Sequence, residues 1–120
     1  MLDIPARPAH PRSMEKKTRT QQVYTLLVEV GRKAEDGLPD KATGAALMCY
    51  ASGVDEAEAV RETVAILKQA DLAPLDVTGY GTREERIAQG HEIDEEEADL
   101  MDRALAENSV IVAQVTPFYD

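Results

Sequence analysis

Residues Ala45–Thr82, AALMCYASGVDEAEAVRETVAILKQADLAPLDVTGYGT, decide the fold. Ala45–Ser52 reads as a strand, with Leu47, Cys49 and Ala51 on one face and Ala46, Met48 and Tyr50 on the other. Both faces are apolar, which suits a strand covered on two sides or placed inside an oligomer. Gly53 ends it. Asp55 then reads as a helix N-cap, and Glu58, three residues on, as its capping-box partner. Ala57, Val60, Val64 and Leu67 follow at helical spacing with Ile66 widening the stripe, while Glu56, Glu58, Arg61, Glu62, Lys68 and Gln69 fall toward water. The helix should stop near Ala70, because Pro74 disfavours helical backbone before it. Leu75–Thr78 is a short strand that runs into a glycine-rich turn, Gly79-Tyr80-Gly81.

On the N-terminal side, Val23–Val30 (VYTLLVEV) has the β-branched content of a strand, with Tyr24, Leu26, Val28 and Val30 facing the core. Gly31–Gly44 is a loop too long for a tight hairpin, and such loops are often mobile. On the C-terminal side, Thr82 with Glu85 can cap a helical turn that Gly90 interrupts. Asp94 with Glu97 opens a further helix that buries Ala98, Met101, Ala104 and Leu105 and stops at Asn108. Val110–Thr116 is the last strand, closed by Pro117. Residues 1–22 carry Pro5, Pro8 and Pro11 without apolar periodicity and read as a flexible basic N-terminal arm, with Met14 an alternative start. Residues 23–120 then make a single α/β sandwich domain.

The order strand-strand-helix-strand-helix-strand implies an α+β fold. Right-handed crossovers would place both helical regions on one face of a mixed sheet, with the first strand antiparallel between the second and third. This two-layer α/β sandwich resembles a ferredoxin-like variant, a resemblance of element order that carries little functional information. One sheet face would be left bare, so packing of a homo-oligomer against it is expected.

Charge narrows the partners. The formal net charge is −10: residues 1–22 hold five basic and two acidic residues, and the remainder holds 8 basic against 21 acidic. A domain this acidic repels phosphate backbones, so neither nucleic acid nor an anionic membrane is an expected partner. Cys49 is the sole cysteine, which rules out an intramolecular disulfide and gives no sign of an oxidising compartment. No apolar run has the length of a signal or a membrane span, and a cytoplasmic location is expected.

The candidate ligand site gathers at the carboxyl ends of two strands that run the same way, where open α/β sheets hold ligands. Tyr50, Ser52 and Gly53 lie at one end, and Gly79, Tyr80, Gly81 and Thr82 at the other. Glycines let a backbone approach a ligand, and Arg83 and Arg86 could hold an anion before a helix N-terminus. His91 could serve an acid–base role, since imidazole titrates near neutrality. The acidic run Glu92–Asp102 lacks EF-hand spacing and reads as a solvated face, so no metal is expected. Cys49 in mid-strand reads as a small buried hydrophobe. No zinc spacing, P-loop, nucleophile elbow or complete triad occurs, and no cofactor is indicated. The expectation is a small accessory or regulatory protein that binds a small molecule or a protein partner. The alternative is an enzyme whose pocket lies at the strand ends and is shared between subunits.

Overall fold

The computed structural model describes residues 2–5 and 20–119. In chain order the elements are β1 (Leu2–Pro5), β2 (Gln22–Val30), β3 (Gly44–Gly53), α1 (Glu56–Gln69), β4 (Pro74–Thr82), α2 (Arg83–Ala88), α3 (Glu95–Glu107) and β5 (Ser109–Phe118). The strands lie in the order β1-β5-β3-β2-β4, and every neighbouring pair is antiparallel. The fold is α+β: four long antiparallel strands, three helices, and the short β1 added beside β5. β2 sits between β3 and β4, as expected, so α1 crosses over it from one strand to another of the same direction.

Three features depart from the sequence reading. The sheet is not mixed, because β5 runs antiparallel to β3. The connection from β4 to β5 is therefore no strand-helix-strand crossover, and its helices are not held to the α1 side. α3 takes the other side. Tyr24, Leu26, Val28, Cys49, Val110 and Val112 pack with Ala59, Ile66 and Leu67 of α1. Their alternates Val23, Tyr50 and Ile111 pack with Met101 and Ala104 of α3. Adjacent strand residues point to opposite faces, so α1 and α3 cover opposite sides of one sheet. The two-layer sandwich gives way to helices on both faces, and the ferredoxin-like order of strands and helices is not matched.

Local chemistry accounts for the element ends. The Asp55 carboxylate accepts from the Glu58 amide at 2.8 Å, while the Glu58 carboxylate accepts from the Val54 amide at 3.0 Å. At α2 both halves of the capping box form: Glu85 N–H to Thr82 Oγ1 at 3.2 Å, and Thr82 N–H to Glu85 Oε1 at 2.8 Å. Asp94 caps α3 through the Glu97 amide at 2.8 Å. Asn108 ends it in the left-handed region at φ 48°, where asparagine is tolerated better than most residues. Leu105, expected in the core, is instead exposed.

Two proline and glycine readings change. Gly79-Tyr80-Gly81 is not a turn but the end of β4, which runs unbroken to Thr82. Pro117 does not close β5 but lies within it, opposite Ala45. Among the described residues β1 pairs only with Ser109–Val112, so Pro117 has no partner there on the outer side of the strand to lose. Of the arm expected over residues 1–22, Leu2–Pro5 pairs with β5 and Gln22 opens β2, while residues 6–19 lie outside the described residues. The loop after β2 is organised by one pair. Asp36 accepts from Arg32 Nε at 3.0 Å and from the Lys33 and Leu38 amides at 2.9 and 3.0 Å. These donors hold its carboxyl down to about 2.

Candidate functional site

β4 is an edge strand, and its last residues carry a bulge. Gly79 pairs with Leu26 and Gly81 with Thr25, which leaves Tyr80 as the extra residue. Gly81 takes φ +91°, a conformation natural to glycine in such bulges. The bulge opens a cleft of about 410 Å³ between the first turn of α1 and α2. Tyr24, Glu56, Gly79, Tyr80, Gly81, Glu85 and Gln89 line it. Missing side chains keep it open. A Cβ at Gly79 would collide with the Glu56 carboxylate, and one at Gly81 would lie 2.7 Å from Glu85 Oε1.

Tyr24 forms the floor. It is 8% exposed and lines the cleft, yet among the described residues its hydroxyl has no hydrogen-bond partner. Burial raises its pKa, and the charges of Asp55, Glu85 and Glu56 raise it further, so the cleft is electronegative.

A second cluster lies behind the sheet, on the α3 side. Tyr50 donates to Glu97 Oε2 at 2.6 Å, and Arg86 Nη1 donates to the same oxygen at 2.9 Å and to Thr25 Oγ1 at 3.2 Å. Arg86 Nε donates to His91 Nδ1 at 3.2 Å, and the His91 ring meets Tyr80 edge-on at 6.5 Å. Burial, followed by the bond to Glu97, pushes the Tyr50 hydroxyl well above its usual range. These groups satisfy one another and pin α2 and α3 to the sheet.

The ten candidate residues therefore separate. Gly79, Tyr80 and Gly81 line the cleft. Tyr50 and Arg86 are joined through Glu97, and His91 is joined to Arg86. Ser52 is buried and donates to Asn108 Oδ1 at 2.6 Å, tying β3 to the end of α3. Gly53 makes room for α1, since a Cβ there would sit 2.9 Å from the Ala59 nitrogen. Thr82 is spent on the α2 cap. Arg83 pairs with Asp102 at 3.3 Å and Arg86 with Glu97 at 2.9 Å, so each guanidinium has a carboxylate partner. The strand ends at Gly53 and Thr82 do open at one end of the sheet, opposite Gln22 and Tyr24 of β2.

Sequence reasoning missed Tyr24, Glu56, Glu85 and Gln89 as lining, and Glu97 and Thr25 as partners. Tyr24 shares the core face of β2, and the glutamates sit in first helical turns where the dipole accounts for them. No signal in the sequence distinguishes them from ordinary core and capping residues. The acidic run reads as solvated, but Glu97 turns inward to Tyr50. Among the described residues no group of three or more His, Cys, Asp or Glu side chains could hold a metal ion, and no helix is long and apolar enough to cross a membrane. Cys49 is buried, and burial pushes its thiol up to about 12, which removes it as a nucleophile.

Neither the curated proteins nor the solved structures contain a significant match to this chain. One family model does match, over residues 23–119, which spans β2 to the residue after β5 and leaves β1 outside it. The chain belongs to the family described as domain of unknown function DUF8846.

Proposed function

We propose that this protein is a small accessory or regulatory protein that binds a small molecule in the cleft beside β4. The carrying observation is Tyr24: the residue is 8% exposed and lines the cleft, and its hydroxyl, open to solvent, has no protein partner among the described residues. A ligand that hydrogen-bonds this hydroxyl replaces a water and gains about 0.5–1.5 kcal/mol net. The cleft volume of about 410 Å³ suits a compact ligand. An enzymatic reading is less well supported, because the Tyr50–Glu97–Arg86–His91 chain is closed on itself and does not line the cleft.

The test is a thermal-shift screen against metabolites, run on the wild type and on Gly79→Val. Gly79 has no positive φ, so valine fits the backbone while its side chain fills the cleft. A ligand that raises the melting temperature of the wild type and not of Gly79→Val supports the reading. Equal shifts in both proteins would refute it.

A homo-oligomer and a cytoplasmic setting belong to the same proposal. β4 offers an open edge of nine residues with Leu75 73% exposed, a template for pairing with a second copy. The single buried thiol suits a reducing compartment. Light scattering that gives the monomer mass at every concentration would remove the oligomer.

A further inference from the structure

We infer that the cleft beside β4 takes an organic cation, a small molecule whose ammonium or guanidinium group sits between Glu56 and Glu85 and meets the Tyr24 hydroxyl. The inference rests on the proposal that the cleft is a binding site, and it names the class of ligand. Among the described residues the lining holds two carboxylates, two phenols, a glutamine and glycine backbone, and no basic side chain. The two nearest arginines of α2 are committed elsewhere, Arg83 to Asp102 and Arg86 to Glu97. An anion would face uncompensated negative charge there, whereas a cation finds acceptors on several sides.

The acceptors are not all spent on the fold. Glu85 Oε1 takes the Thr82 amide, leaving its second oxygen without a partner among the described residues. Glu56 has no hydrogen bond or ion pair among the described residues, and its carboxylate stands over Gly79 where any side chain would displace it. Tyr24, 8% exposed and without a protein partner for its hydroxyl among the described residues, supplies an oxygen that can accept, and it stays protonated in this negative surround. The Tyr80 ring on the opposite wall is the kind of surface on which an alkylammonium or guanidinium rests. Together these make the cleft more than a patch of surface acid. The carboxylates flank a phenol that is 8% exposed and whose hydroxyl is free to accept from a donor brought into the cleft.

Titration calorimetry with three probes of similar size tests this: agmatine as the cation, 1,4-butanediol as the neutral analogue and succinate as the anion. The proteins are the wild type, Glu56→Gln, Glu85→Gln, Gly79→Val and, as a charge control, Glu95→Gln on the exposed first turn of α3. Glutamine preserves shape at both sites and can still serve in the capping box. Agmatine should bind the wild type and Glu95→Gln alike, weaken by about tenfold in Glu56→Gln and Glu85→Gln, and fail with Gly79→Val. Binding of agmatine that is equal in all five proteins would mark diffuse attraction to an acidic surface and overturn the assignment. Succinate or butanediol binding that Gly79→Val abolishes, with agmatine inert, would overturn the cation and leave the binding cleft standing. If no probe responds to Gly79→Val, and the metabolite screen finds no ligand that does, both readings fail together.

Discussion

Cys49 sits in mid-β3 with no exposed surface, and its thiol is pushed up to about 12 by burial alone. Iodoacetamide at neutral pH should leave it unmodified in the folded protein and alkylate it fully in denaturant, as mass spectrometry would record. Modification of the native protein at the rate of a free thiol would contradict its placement. Asp36 gives the complementary case in acid. Its folded pKa of about 2 lies below the ordinary value of 3.8, so its contribution is fully present above that value and is lost as pH falls toward 2. Urea midpoints of the wild type and Asp36→Asn should therefore differ most at pH 5 and converge near pH 2. A constant difference across that range would show that the Arg32–Asp36 cluster does not form. Neither residue is marked in the sequence as unusual. Cys49 was readable because strand alternation puts it on an apolar face, whereas Asp36 gains its donors only when the loop closes around Arg32.

At the scale of elements, capping was the most legible chemistry in the chain. Asp55, Thr82 and Asp94 each precede a glutamate by three residues, and each accepts from that glutamate's amide. What the pattern could not convey is how much rests on α2. A helix of six residues does not persist by itself, and this one carries Glu85 of the cleft and Arg86 of the Glu97 cluster. Thr82→Ala should cost about 2 kcal/mol, the upper end of the usual range for a cap, because Thr82 is buried. Thr82→Ser should restore most of it, since serine keeps the accepting oxygen. Equal losses for alanine and serine in chemical denaturation would show that the methyl group, not the cap, carries the effect. The glycines misled for a physical reason: Gly79 and Gly81 do bend the chain, but as a bulge inside a paired strand rather than a turn. Composition alone does not separate those two uses.

Across the whole molecule, the central correction is that α1 and α3 lie on opposite faces. The apolar character of both faces of Ala45–Ser52 already contained this, and an assumed parallel crossover concealed it. Strand direction is set by pairing with distant β5, which no local pattern reports. Leu67 on α1 and Met101 on α3 are both fully buried, in separate clusters. Leu67→Ala and Met101→Ala should each cost about 2–5 kcal/mol. The double variant should lose their sum to within about 0.5 kcal/mol, because the sheet stands between them. A harmless Met101→Ala would mean that α3 is not docked, and the bare face first expected would return. The cleft was half legible at this scale: its glycines and Tyr80 stand out in the sequence, while Tyr24 comes from a strand some fifty residues away and is brought in only by the pairing of β2 with β4.

The most direct test of the binding cleft is a map of backbone amide shifts in the ¹⁵N-labelled protein during titration with agmatine. Saturable shifts should centre on Tyr24, Glu56, Gly79, Tyr80, Gly81 and Gln89. Shifts centred instead on the acidic run Glu92–Asp102, or no saturable shift at any residue, would contradict a cation site beside β4.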